Sequence, residues 1–432
     1  MNKALTSITA AAVFLFAGFA LSAGCVISTG SSSFLSIGDQ EHVSRGETHA
    51  LTLAEGGTLE IELPSGDVVV RADAVGAPEL KAVIKAYGKT SEAAQKALDG
   101  TQLALEPTLT GMRVRLTGEA IDARKSGVHG PSPRADVELR IPRDVRLAVD
   151  LGAGDVQTRG PIGTSKLKSQ YGDVRVESAK GDLRMETSSG ELTLGGLKGA
   201  QSFVARSDYG NVSAGSVEAV TIEMHTSSGS VELADATSTR VDLDSDYGKI
   251  VLRRVGGDVA ARTSSGSIDA TELSGTRATL KSEYGAITVR GLRGELKAAT
   301  SSGSVNVEGF EGDCELDSDY GHIRATGRFD RFVGATSSGS VNVEALAGST
   351  LSADWALKSG YGHVTLSLPR DLGFLLEAKT DYGQLDVQFP VTIEAGALKN
   401  KSALRGQVGT GGKRLLLETS SGNIGLKPGE QR

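Results

Sequence analysis

The stretch Thr226-Ser227-Ser228-Gly229-Ser230-Val231-Glu232-Leu233, with Val241-Asp242-Leu243-Asp244-Ser245-Asp246-Tyr247-Gly248 further on, decides the fold. It holds two tetrapeptides that end in Gly, 19 residues apart, and the apolar residues beside them alternate with period two. The same pair precedes it as Thr187-Ser188-Ser189-Gly190 and Ser207-Asp208-Tyr209-Gly210, and the series continues through Gly266, Gly285, Gly303, Gly321 and Gly339. Backwards it reaches Gly172 and Gly154. From Gly154 to Gly339 there are ten intervals over 185 residues, a mean of 18.5, with single intervals of 18 to 20. A fixed period of this length marks a stacked repeat.

Period-two alternation gives each unit two short strands with one apolar face. A five-residue strand spans about 17 Å and buries little alone, so the units must stack about 4.8 Å apart. The fold expected is all-β: a single-stranded β-solenoid with coils of 18–20 residues over 151–427. About fifteen coils would make a rod of roughly 70 Å. The recurring Gly suits a corner that needs either φ > 0 or no Cβ, and the Ser or Asp before it can hydrogen-bond the turning backbone.

Two classes of coil alternate. Tyr171, Tyr209, Tyr247, Tyr284, Tyr320, Tyr361 and Tyr382 precede the Gly in one, and Ser189, Ser228, Ser265, Ser302 and Ser338 in the other. Two coils separate successive Tyr by about 9.6 Å. The first reading is packing, each ring lying over the small Ser between; the second is an aromatic stripe that binds sugar rings or a partner. Asp208, Asp246, Glu283, Asp319 and Asp381 form a parallel acidic ladder. A calcium site needs six to eight converging oxygens, and Gly-Gly-x-Gly-x-Asp is absent, so no metal site is expected.

The ends depart from the pattern. Residues 47–150 alternate around Leu59–Val70, Val83 and Val114 and contain one short helical stretch, Ser91 to Leu98; they read as a β-rich cap that blocks the solenoid edge. Arg124 to Arg134 reads as a loop. Between Gly339 and Gly362 the interval widens to 23 residues around Trp355, and the signature is lost between Gly383 and Gly422.

Residues 1–24 read as a secretory signal: Lys3, an apolar run from Ile8 to Leu21, then small residues. The run ends Leu21-Ser22-Ala23-Gly24-Cys25, which resembles the bacterial lipobox and implies cleavage between Gly24 and Cys25 and acylation of Cys25. A lipid there would anchor the chain to a membrane without spanning it. Residues 25–46, Ser-rich around Gly30-Ser31-Ser32-Ser33, read as a tether. Val26 leans towards the outer membrane of a Gram-negative-type bacterium, facing the periplasm or the cell surface. With Cys25 lipidated, Cys314 has no partner for a disulfide.

The whole chain has 432 residues, 46 basic and 53 acidic, a net charge of −7, 56 Gly and only 10 Pro. Gly without Pro argues against collagen and Pro/Gly linkers, and the negative charge argues against nucleic acid as a partner.

Leu59 to Val70 resembles the opening of the bacterial DUF4097 family, a candidate adhesin domain. So does the closing stretch Leu368-Pro369, Gly373-Phe374, Ala378-Lys379-Thr380-Asp381-Tyr382-Gly383, Phe389-Pro390-Val391, Gly411-Gly412 and Leu417 to Ile424. The resemblance implies a secreted or membrane-anchored β-solenoid and supplies no catalytic residues. Polysaccharide-acting β-helix enzymes need carboxylates converging at one place, whereas here they recur one per repeat. His42, His49, His129, His225, His322 and His363 lack ligand spacing, and only His322 and His363 share a register, two coils apart. No catalytic residue and no cofactor is therefore expected. The reading is a non-catalytic, surface-anchored lipoprotein whose solenoid acts as a binding or structural scaffold at the cell envelope, its partner a cell-surface glycan or an envelope protein. A regulatory envelope-stress lipoprotein that binds a membrane protein is the alternative, and a carbohydrate-active enzyme the weakest one.

Overall fold

The computed structural model describes residues 41–73, 76–119, 121, 133–393 and 402–429. The signal segment, Gly24, Cys25, the tether up to residue 40 and residues 124–132 of the expected loop lie outside the described residues. The chain is nearly all β-strand, and its one described helix of any length is Ser91–Asp99. Thr90 caps that helix by accepting the Ala93 N–H at 3.2 Å.

The solenoid is plainest in its middle. Strand Val231–Ser245 lies parallel on Ile250–Thr263 with one register shift between Thr237 and Arg240, pairing Val231 with Ile250, Leu233 with Leu252, Val241 with Val259 and Ser245 with Thr263. All eight of these side chains are buried, while Glu232, Val251 and Asp242 alternate onto the outer face. Burial of about 1.5–3 kcal/mol per large aliphatic side chain, repeated rung after rung, is what makes stacking stable where a lone rung is not.

In several coils, Val231–Ser245 among them, the two short strands expected per coil join into one that bends, while others keep two, such as Ile268–Ser274 with Arg277–Ser282. Ser216, Asp235, Arg254 and Glu272 stand in one column with φ of 50, 52, 52 and 55°, and Gly291 and Gly309 continue it at 70 and 62°. The left-handed region costs a non-glycine residue about 1–2 kcal/mol. Arg254 sits on Asp235 of the neighbouring rung through a two-pronged ion pair of 2.6 and 2.9 Å. Nothing in Ser, Asp, Arg or Glu signals such a bend from sequence.

The Gly corner is a matter of close approach. A Cβ on Gly248 would lie 1.8 Å from the carbonyl oxygen of Gly229, and one on Gly266 would lie 1.8 Å from that of Gly248. From Gly190 to Gly339 the corner residues do not adopt a positive-φ backbone, so there the missing Cβ is the operative reason for Gly, while Gly154 and Gly172, at φ of 130 and 157°, meet both reasons.

At both ends the order of stacking departs from the order of the chain. The rung Thr58–Leu63 and Val68–Arg71 lies between Gly111–Gly118 with Arg134–Arg140 on one side and Arg146–Ala153 with Val156–Ile162 on the other. The solenoid thus begins at Thr58, and residue 150 marks no break. At the far end Arg414–Thr419 and Ile424–Pro428 insert between Trp355–Ser359 with Val364–Leu368 and Phe374–Thr380 with Leu385–Val387. This insertion accounts for the signature lost between Gly383 and Gly422. Antiparallel strands then close each edge: Thr101–Pro107, Glu79–Gly88 and Glu41–Ala50 at one end, Ala403–Val408 and Val391–Thr392 at the other. Residues 41–46, expected as the end of the tether, belong to Glu41–Ala50, because an outermost strand needs only one apolar face.

The widened interval carries a buried aromatic cluster. Trp355 packs against Phe329 and Phe332 at 6.1 and 6.0 Å between ring centroids, and its indole N–H donates to the Asp330 carbonyl at 3.1 Å.

Candidate functional site

The Gly corners form one long edge, fixed from within by hydroxyls. Three residues before each corner Gly from Gly210 to Gly362 stands a buried Ser or Thr whose oxygen bonds twice. Thr226 Oγ1 donates to the Gly210 carbonyl at 2.8 Å and accepts the Gly229 N–H at 3.1 Å. Ser245 does the same towards Gly229 and Gly248, both at 2.9 Å. The column repeats at Thr263, Ser282, Thr300, Ser318, Thr336 and Ser359. Each corner backbone is thereby satisfied inside the protein and held rigid. The sequence carries this column openly as Ser/Thr-x-x-Gly, though its double bond to two rungs is visible only in three dimensions.

On that scaffold the tyrosines point outward. Tyr209, Tyr247, Tyr284 and Tyr320 are 72, 69, 65 and 69% exposed, and Tyr171, Tyr361 and Tyr382 are likewise in solvent. Their backbones are fixed, the Tyr247 N–H donating to the Ser227 carbonyl at 3.0 Å and the Tyr320 N–H to that of Ser301 at 2.9 Å. The space inside the corner is filled by the hydroxyl column and the aliphatic side chains behind it, so the rings take no part in the core.

The exchange at the far end bears on this edge. In chain order the last corners run Ser338, Tyr361, Tyr382, Ser421, so the alternation fails. In space the corner of Gly422 stacks on Gly362 and that of Gly383 on Gly422. The spatial order is Ser338, Tyr361, Ser421, Tyr382, and the alternation is restored.

Asp208, Asp246, Glu283 and Asp319 stand beside these tyrosines, exposed. Among the described residues no cation pairs with their carboxylates, while Asp381 meets Lys379 at 3.4 Å. Burial first, then the neighbouring Asp319 carboxylate, push the Asp317 carboxyl up. The residues just after each Gly form a further column, in which a side chain accepts the next rung's N–H. Asn211 Oδ1 takes that of Ser230 at 2.9 Å, His322 Nδ1 that of Ser340 at 3.0 Å, and His363 Nδ1 that of Asn423 at 2.9 Å. His322 and His363 are thus corner acceptors with a whole rung between them. Among the described residues no three His, Cys, Asp or Glu side chains gather where they could hold a metal ion. Cys314 is buried in the core, which pushes its thiol well up and keeps it protonated.

Depressions in the surface lie on other faces. One runs along the bend column past Thr237, Ser238, Arg254, Glu272 and Ser274, and another crosses the ion-paired patch of Arg206, Glu223, Arg240 and Asp242. The second also holds His225, 3.6 Å from Asp244, and the arginines Arg206, Arg240 and Arg254 along the two are ion-paired with Glu223, Asp242 and Asp235.

The family model Toastrack DUF4097 matches residues 56–272 and again 253–427, two lengths that meet within one rung of a continuous solenoid. No curated protein matches the chain. Among solved structures, a candidate cell adhesion protein from Clostridium sporogenes is 10% identical, covering 90% of this chain and 100% of its own, with a TM-score of 0.18. A candidate lipid binding protein from Parabacteroides distasonis is 15% identical, covering 69% and 96%, with a TM-score of 0.29. A candidate adhesin from the same organism is 12% identical, covering 70% and 93%, with a TM-score of 0.26. These likenesses are distant, and membership rests on the family model, which spans most of the chain: this protein belongs to the DUF4097, or Toastrack, family.

Proposed function

We propose that this protein is a non-catalytic lipoprotein, held at the cell envelope through Cys25, whose solenoid is an adhesin-like binding scaffold with the tyrosine edge as its contact surface. The observation that carries this reading is the row of tyrosines, mostly in solvent, at every second rung of a rigid edge. Single ring contacts are weak, but an array on one rigid rod engages a repetitive partner many times over and gains by effective concentration. The tether supplies reach and the lipid supplies location.

The test is a glycan-array and whole-cell binding screen of the full chain, beside a variant with Tyr209, Tyr247, Tyr284 and Tyr320 replaced by Ser. Binding lost in the variant, with the melting temperature unchanged, supports the reading. Absence of binding to any glycan or cell surface overturns it in favour of a regulatory or structural envelope lipoprotein. Fractionation of Cys25→Ala tests the anchor separately: release from membranes is expected, and full retention sinks lipid anchoring.

A further inference from the structure

The four tyrosines from Tyr209 to Tyr320 each follow a carboxylate, Asp208, Asp246, Glu283 or Asp319, and this pairing recurs at every second rung. On other columns of the solenoid many carboxylates are paired between rungs. Arg277 meets Glu295 at 2.9 Å, Arg293 meets Glu311 at 3.1 Å and Arg290 meets Glu308 at 3.4 Å, each pair joining neighbouring rungs. Beside the tyrosines, among the described residues, the carboxylates have no such partner. An exposed ring with an uncompensated carboxylate next to it offers a cation two attractions at once, the ring face and the opposite charge.

Spacing narrows the class of partner. Two rungs measure about 9.6 Å, and a polyproline II helix advances about 9.3 Å per three-residue turn. Over the three periods from Tyr209 to Tyr320 the two repeats drift apart by about 0.9 Å, less than a basic side chain takes up. A β-strand partner places same-face side chains about 6.7 Å apart and falls out of step at once. We propose that the tyrosine edge binds an extended, polyproline II-like peptide segment with a Lys or Arg at every third position. This rests on the edge being a binding surface at all and specifies what it takes.

The probe is a synthetic (Lys-Pro-Pro)5 peptide titrated into the full chain, with (Lys-Gly-Gly)5 and (Glu-Pro-Pro)5 as controls. The dissociation constant for (Lys-Pro-Pro)5 is expected to be at least tenfold lower than for either control. It should rise at least tenfold in the carboxylate variant Asp208→Asn/Asp246→Asn/Glu283→Gln/Asp319→Asn, and again between low and high salt. All four side chains are exposed, so the variant should keep its melting temperature, which is measured alongside. Equal binding by wild type and carboxylate variant, or tighter binding of the flexible control, overturns the proposal. If a glycan binds through the tyrosines and the cationic peptide does not, the binding edge stands and its partner is a sugar. If nothing depends on the tyrosines, both fall.

Discussion

In the middle of the molecule each rung lies on the one that follows it in the chain, as Val231–Ser245 lies on Ile250–Thr263, whereas at both ends the order is exchanged. The first rung sits inside the second, and the last sits inside the one before it. In a simple stack the outermost coil has a single interface and frays from its free terminus. Here Ile424–Pro428 has a strand on either side, and the outermost coil is closed by antiparallel strands. The ends therefore resist peeling and also hide the open backbone that would recruit another chain. The middle needs no such device and depends on identity between neighbours: Gly over Gly and hydroxyl over hydroxyl.

That dependence predicts the largest effect in the middle. Gly248→Ala drives a Cβ into the carbonyl oxygen and carbon of Gly229, at 1.8 and 2.4 Å, and neither is free to move without opening the rung. A loss above about 4 kcal/mol is expected, read as a denaturation that splits into separate transitions for the two halves of the rod. A wild-type-like single transition would show that the corner spreads freely.

Trp355→Ala comes next, at the junction between middle and end, with about 3–5 kcal/mol for the emptied aromatic space. Chemical denaturation followed by circular dichroism measures it, and a change under about 1 kcal/mol would mean that the aromatic cluster does not anchor the exchanged end. Thr226→Ala should cost about 1–3 kcal/mol, because it leaves the Gly229 N–H and the Gly210 carbonyl unpaired away from water. Thr226→Ser, which keeps both bonds, should recover most of that loss.

The middle was legible in the sequence for the same reason that it is sensitive. A corner that admits only Gly, with a hydroxyl three residues earlier, writes itself into every repeat. The exchanged ends were not legible, since strand pairing between residues far apart leaves no local mark; Leu415 and Leu417 alternate equally well whichever rung they join. The bend column was hidden because its residues are of five different kinds, with Gly at only Gly291 and Gly309. Of the candidate edge, the positions of Tyr and Asp could be read from the period, but not the solvent on their outer side or the missing ion-pair partners, which depend on what the adjacent columns hold.

Acid should separate the two regions by a smaller margin. At the far end Glu377 joins Arg405 of the closing strand to Arg414 of the inserted one, and at the near end Asp136 joins Lys85 to Arg134. In each, burial alone would raise the carboxyl, but the cations' hydrogen bonds and charges outweigh it and hold it below its ordinary value. Such groups stabilise the fold above the unfolded carboxylate pKa of about 4, and the contribution is lost as pH falls through the lower folded value. Asp317, in the middle, is raised, so it opposes folding as pH climbs past about 4 and stops doing so in acid. Between pH 6 and 3, hydrogen exchange corrected for intrinsic rate should show Ala403–Val408 losing protection while Val305–Ser318 holds or gains. Glu377 is largely solvent-screened, so its share is about 0.5–1 kcal/mol. Glu377→Gln should abolish the acid response at the far end alone, and if that end still loosens in acid, the closing strand is latched by something other than this carboxylate.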